Sequence, residues 1–266
     1  VRPRQDVGVN DQPQSHRPSF DLTDRVAIVT GGSRGLGRAI ALGFADAGAR
    51  VVVASRKADA CRSVVDEIEA AGGAALAVPT HVGRPEELTA LVEAAVDGFG
   101  GIDVLVNNAA NPLGGALGDL TPEAFDAGFR ANVQGPVLLA TAALPHLQAS
   151  SSPSIINVIT AGAFAGAEYL GLYTGAKAAM WNFTRTMAKE WAPHVRVNAI
   201  APGPFDTDMM SLTLAQPEFH RRIVDSTLLR RIADPTEIVG PALFLASDAS
   251  SYVTGSCLTV DGGLLA

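Results

Sequence analysis

The chain has 266 residues, 47% of them hydrophobic, with 27 Asp and Glu against 20 Lys and Arg for a formal net charge of −7. That length and apolar content suffice for one large domain with a substantial core, and the acidic balance argues against nucleic acid or an anionic membrane as a main partner. No apolar run approaches the ~20 residues that a bilayer crossing needs, and the two cysteines, Cys61 and Cys257, lack metal-ligand spacing with the histidines and read as free thiols of a cytoplasmic protein with no metal site.

Val1 to Ser19 are polar and proline-rich, without the apolar core of a secretory signal, and read as an N-terminal extension to a single domain over 20–266. Arg25-Val-Ala-Ile-Val-Thr30 is a short apolar strand that runs into Gly31-Gly32-Ser33-Arg34-Gly35-Leu36-Gly37, with a helix predicted from Arg38 to Ala47. Strand, glycine-rich turn and helix form the first half of a dinucleotide-binding unit. The glycines let the backbone turn tightly and approach a pyrophosphate, which rests on the free N–H groups of the helix N-terminus. A glycine-rich connection without a ligand is the alternative. The second strand, near 50–55, ends Val53-Ala54-Ser55-Arg56-Lys57, without the carboxylate that would bind a ribose 2′-hydroxyl and select NAD. Arg56 stands there instead, and Arg34 lies inside the turn. Two guanidiniums at one locus suit the dianionic 2′-phosphate of NADP; otherwise both are solvated surface charges and NAD is used.

Further strands near 74–78, 102–106, 154–159, 195–200 and 257–260 alternate with helical stretches, which implies an α/β fold with a parallel sheet and helices on both faces. Strands such as Val51-Val52-Val53-Ala54 and Val104-Leu105-Val106 are continuously apolar, as expected when both faces are covered. A helix predicted from Gly171 to Trp191 carries Tyr173 and Lys177, four apart and therefore on one face. A phenol is a poor acid or base at neutral pH, its unperturbed pKa being about 10. A cation held close favours the phenolate and lowers that value, so the pair forms a general acid/base unit, although such pairs also occur on ordinary solvated helix faces. The segment from Phe205 to Arg230 is expected to fold over the site as a lid. Its Met209, Met210, Leu212, Leu214 and Phe219 fall on a roughly helical spacing and either line an apolar pocket or pack against the domain. Glu168 and Tyr169 are further candidates for the pocket wall.

Taken together, these pieces resemble the short-chain dehydrogenase/reductase family over roughly Leu22 to the C-terminus. The motifs follow the family's order: Thr30–Gly37, Asn107-Asn108-Ala109-Ala110, Asn132, Tyr173 with Lys177, Pro202-Gly203-Pro204-Phe205-Asp206-Thr207, and Val260-Asp261-Gly262-Gly263. The Arg25-to-Lys57 block resembles members similar to gluconate 5-dehydrogenase and to 3-oxoacyl-carrier-protein reductase. The resemblance implies a single doubly wound Rossmann domain with a seven-stranded parallel sheet. It also implies hydride transfer between NADP(H), NAD being the second choice, and a small-molecule secondary alcohol or ketone. Tyr173 would exchange the proton, Lys177 would lower its pKa and hold the nicotinamide ribose, and Asn132 would support a water-linked proton path. The family's serine, thirteen residues before the tyrosine, is replaced by Thr160, which keeps a hydroxyl donor but is stiffer at χ1; its other reading is a strand-end threonine in a weakened enzyme. The resemblance places Gly31, Ser33, Arg34, Gly35, Leu36, Gly37, Arg56, His81, Val82, Asn108, Pro202, Gly203 and Thr207 at the cofactor. His81 stands where relatives carry Asp, and Ala110 where they carry Gly. A homotetramer is implied, pairing the helices near Pro122–His146 and Gly171–Trp191. A cofactor-binding sensor or scaffold with little turnover is the competing function.

Overall fold

The computed structural model describes residues 19–211 and 215–266. Seven strands form one parallel sheet in the order β3-β2-β1-β4-β5-β6-β7: β1 Val26–Thr30, β2 Arg50–Ser55, β3 Ala74–Pro79, β4 Val104–Asn107, β5 Ser154–Val158, β6 Arg196–Pro202 and β7 Cys257–Val260. Parallel neighbours need long crossovers, and helices supply them: α1 Gly35–Asp46, α2 Ala58–Ala70, α3 Pro85–Phe99, α4 Pro122–Phe129, α5 Gly135–Ala149, the short α6 Gly162–Ala165 and α7 Gly171–Trp191. Two more, α8 Pro217–Ser226 and α9 Val239–Ala246, lie between β6 and β7. No helix among the described residues is long and apolar enough to cross a membrane.

The alternation of side chains along each strand divides the core into two layers. Ala27 and Val29 of β1, with Val51 and Val53 of β2, face α1, α2 and α9; fully buried Ile40 and Phe44 of α1 fill that layer. Val26, Ile28, Val52 and Ala54 face the opposite way, onto α3 and α5, where Leu88, Leu91, Leu139 and Leu147 are buried. Each such leucine contributes about 1.5–3 kcal/mol by leaving water. The double-sided burial predicted from the apolar runs is what the strands show.

Two helical segments differ from expectation. Helix α1 begins at Gly35, three residues early, because the second half of the glycine turn is already its first turn. The single helix expected over Pro122–His146 is α4 and α5 joined by a π-helical turn, Arg130–Gln134. Pro136 explains the widening: it has no N–H to give the carbonyl of Asn132, four residues back, so the regular ladder cannot continue there. Of the N-terminal extension, 1–18 lie outside the described residues, and Ser19 accepts a hydrogen bond from the Ala249 N–H at 3.2 Å.

Candidate active site

The chain crosses from β3 back to β4 on the far side of β1, so the sheet has a switch point between β1 and β4. In open parallel sheets the crevice at such a point, outside the carboxyl ends of the strands, is where ligands bind. A cleft of about 650 Å³ lies there, walled by the residues after β1, β2, β3, β4, β5 and β6 together with Tyr173 and Lys177 of α7.

At its β1 end the wall is backbone. Gly31 has φ +64°, and a Cβ built on Gly37 would stand 2.2 Å from the Gly31 carbonyl oxygen. Any larger residue at 37 would therefore drive α1 off the strand. Asn108, just past β4, ties this turn down: its Nδ2 donates to the carbonyls of Thr30 at 2.9 Å and Gly31 at 3.3 Å. The N-cap of α1 is Arg34, whose side chain makes no capping bond, so first-turn N–H groups remain for an anion. This cradle, too narrow for a Cβ and rich in free donors, fits the pyrophosphate of a nicotinamide dinucleotide. Arg34 and Arg56 both line the cleft here. Arg34 is largely exposed, with its guanidinium 3.7 Å from the Asp208 carboxylate. Ser33 donates to Ser55 at 2.9 Å, joining the turn to the end of β2. His81 and Val82 line the next stretch, where the His81 Nδ1 accepts from the Gly83 N–H at 3.1 Å.

At the β5 end the wall is made of side chains. Thr160, Tyr173 and Lys177 all reach the cleft. The Thr160 Oγ1 accepts from the Gly162 N–H at 3.3 Å, which leaves its hydroxyl proton to donate elsewhere. Lys177 is buried, and its Nζ donates to the Val158 carbonyl at 2.7 Å while lying 5.9 Å from the centre of the Tyr173 ring. Burial pushes the Tyr173 phenol up to about 12 and Lys177 down to about 8. For the phenol this direction is opposite to the lowering expected from the neighbouring lysine, and its cause is burial.

Asn132 lies behind this wall. It is fully buried in the π-helical turn, with Oδ1 accepting from the Asn111 N–H at 2.9 Å and Nδ2 donating to the carbonyls of Asn111 and Gly128. Its amide is committed to the main chain of the loop after β4 and does not line the cleft. Behind the site, Asn107 donates to Asn157 and Asn157 to Thr184, each at 2.9 Å, locking β4, β5 and α7 together. The sequence reading gave Asn157 and Thr184 no role, although a lone amide inside the apolar run Ile155-Ile156-Asn157-Val158 is the signal of such a bond.

The order of these parts along the chain has a match. The family model described as enoyl-(acyl carrier protein) reductase covers residues 31–265. The chain belongs to the short-chain dehydrogenase/reductase family. An uncharacterized oxidoreductase of Mycobacterium tuberculosis is 40% identical to this reductase-family chain over 246 residues, 92% of this chain and 94% of that one. A 3-oxoacyl (acyl-carrier-protein) reductase from Agrobacterium tumefaciens, solved with NADP bound, is 33% identical, with a TM-score of 0.87 over 92% of this chain and 95% of that one. A 7α-hydroxysteroid dehydrogenase complexed with NADH and 7-oxo glycochenodeoxycholic acid is 35% identical, with a TM-score of 0.89 over 92% and 95% of the two chains.

Within this dehydrogenase/reductase, the cleft gathers Gly31, Ser33, Arg34, Gly35, Leu36, Gly37, Arg56, His81, Val82, Asn108, Thr160, Tyr173, Lys177, Pro202, Gly203 and Thr207 from the residues expected at the site. It leaves out Glu168 and Tyr169; Tyr169 is 70% exposed, and the neighbouring Leu170 takes the place expected of it. Of the expected lid, Met209 and Met210 line the cleft and Phe219 does not. Leu212 and Leu214 lie outside the described residues. Asn111, Arg130 and Asp208 also line the cleft and were not foreseen.

Proposed function

We propose that the protein is an NADP(H)-dependent oxidoreductase of a secondary alcohol or its ketone, with Tyr173 as the general acid/base. One observation carries the reading: a single cleft has two arginines at the end where a 2′-phosphate would lie, and a hydroxyl, a phenol and an ammonium at the other. The glycine cradle and the first turn of α1 would hold the pyrophosphate, Arg34 and Arg56 the 2′-phosphate, and Lys177 the nicotinamide ribose. When bound, the nicotinamide supplies or takes the hydride. The two nicotinamides found in the relatives leave the choice to this chain's own residues. The absence of a carboxylate after β2 favours NADP.

The reacting groups divide the remaining work. Thr160 directs its free proton at the substrate oxygen and stabilises charge that develops there. Tyr173, held protonated at neutral pH by burial, gives its proton to that oxygen in reduction. Lys177, still mostly charged at neutral pH, steadies the phenolate that this leaves. Asn132 keeps Asn111 and its loop in place. Retention of all these groups favours an enzyme over a sensor or scaffold, because mere cofactor binding has no need of an acid aimed into the cleft. Tyr173→Phe should leave NADPH affinity near wild type while turnover falls at least ~10²-fold, the scale of a lost positioned acid. Near-normal turnover would refute the assignment.

Assembly as a homotetramer belongs to the same proposal. It is supported by Leu228, Leu229 and Tyr252, which stand exposed near the C-terminal segment. A monomeric mass by light scattering at micromolar concentration would refute it.

A further inference from the structure

We infer that Arg130 and His81 hold the purine of the dinucleotide, the first by a guanidinium on its face and the second by a ring N–H at its edge. The 6-amino group goes unused, so dinucleotides of hypoxanthine serve in place of those of adenine. The inference rests on the dinucleotide reading above and names what that site recognises at its base end. With the pyrophosphate on the glycine cradle and the 2′-phosphate at Arg34 and Arg56, the purine on the same ribose falls at the next strand end, that of β3. His81, Val82 and Gly83 line the cleft there, and Ala127, Arg130 and Ala131 line it from the end of α4 and the widened turn. That turn is packed on the β3 end: a Cβ on Gly135 would stand 2.1 Å from the Val82 carbonyl oxygen.

Gly83 brings the two side chains together. The point where its Cβ would stand lies 3.3 Å from the Arg130 Cγ and 3.1 Å from the His81 Cε1, so the arginine stem and the imidazole flank one glycine. The His81 Nδ1 accepts from the Gly83 N–H at 3.1 Å. A neutral imidazole that accepts at Nδ1 carries its proton on Nε2, and that N–H has no partner among the described residues. Arg130 is exposed, and its guanidinium makes neither an ion pair nor a hydrogen bond among the described residues. A planar, weakly hydrated cation of this kind lies readily on an aromatic ring. The one carboxylate that lines the cleft among the described residues, Asp208, lies by Arg34 at the phosphate end. The base end therefore presents a donor and a cation. These suit ring nitrogens and a 6-oxo group as well as they suit adenine, and no anion is there for an amino group to meet.

The test titrates the full chain, without substrate, with NADPH, NADH and the deamino (hypoxanthine) form of each, read by the fluorescence of the reduced nicotinamide that all four share. Each deamino form should bind within about threefold of its adenine counterpart. A loss of about tenfold or more, the scale of one hydrogen bond left unmade, would show that the amino group is read and overturns the inference. His81→Asp puts an acceptor at the edge, so the adenine forms should then lead by about tenfold; an unchanged ratio in the folded variant counts against His81. Arg130→Ala should weaken all four by one factor, about threefold or more, as the loss of a cation from a ring face requires. Arg130→Lys keeps the charge and loses the plane, and should lose nearly as much. A loss confined to the two phosphorylated forms would make Arg130 a phosphate ligand and overturns its place on the base, as does no loss at all. If either variant fails to fold, the wild-type comparison decides by itself. Binding of none of the four removes the oxidoreductase reading along with the inference, whereas tight binding of the adenine forms alone removes only the inference. Normal turnover by Tyr173→Phe removes the acid/base reading and leaves the base contacts standing.

Discussion

At the β1 end of the cleft the contacts are made by main chain. Gly37 touches the Gly31 carbonyl, and Asn108 holds two neighbouring carbonyls by its amide. At the β5 end the same cleft is lined by side chains on separate pieces of chain: Thr160 after β5, and Leu170 and Tyr173 at the start of α7. Backbone walls tolerate almost no change, because a single methyl meets an oxygen. Side-chain walls can be rewritten one residue at a time while the sheet beneath stays as it is. A fold built this way keeps its cofactor and changes its substrate, which is how one architecture serves many reactions.

The comparison can be broken most severely at Thr160. If its hydroxyl serves the reacting oxygen, Thr160→Val should cost ~10²–10³ in turnover with little change in volume, and Thr160→Ser should hold or raise activity. Measured under one assay, equal turnover of the two variants would make Thr160 part of the β5 wall and nothing more. A smaller effect sharpens the other end. NADPH should bind at least ~10-fold tighter than NADH, or about 1.4 kcal/mol, and Arg56→Ala should remove most of that gap with NADH affinity nearly unchanged. Equal affinities in the wild type would return Arg56 to the solvent.

The least effect is on stability. Lys177, depressed to about 8 by burial, binds fewer protons in the folded chain than in the unfolded one, where the value is about 10.4. Its burial penalty is therefore complete below pH ~8 and fades as pH rises through that window. Tyr173, raised to about 12, acts oppositely from pH ~10 upward, because the folded state then holds the extra proton. Lys177→Met should melt above wild type at neutral pH, with the gap closing towards pH ~10. A gap constant with pH in calorimetry would mean that Lys177 titrates like an exposed lysine.

Most of the sheet was legible because continuous apolar runs have few other uses: β1, β2 and β7 fall where Val26–Thr30, Val51–Ala54 and Cys257–Val260 suggest. The glycine cradle was legible for a related reason, since sterics at Gly31 and Gly37 leave one residue type possible. What escaped depends on direction in space. The tyrosine–lysine spacing gave their shared helix face, but burial decided which way their proton affinities moved. Asn132 was found by its motif, yet its bonds to Asn111 and Gly128 follow from a helical widening whose cue was Pro136. Glu168 and Tyr169 were expected in the wall because they adjoin α7. Tyr169 adopts a φ of +60°, and its outward turn leaves Leu170 facing the cleft instead.

The widened turn at Arg130–Gln134 sets a conflict of phase between the helix and the site. One residue removed from it would narrow the turn, although Pro136 would still have no N–H to give the ladder. The same removal would rotate everything ahead of it by about 100° relative to α5. Asn132 would swing off Asn111, and the loop after β4 would lose its clamp. The surplus residue therefore acts as an angular offset: it holds the helix at the rotation that keeps the Asn132 amide on the loop after β4.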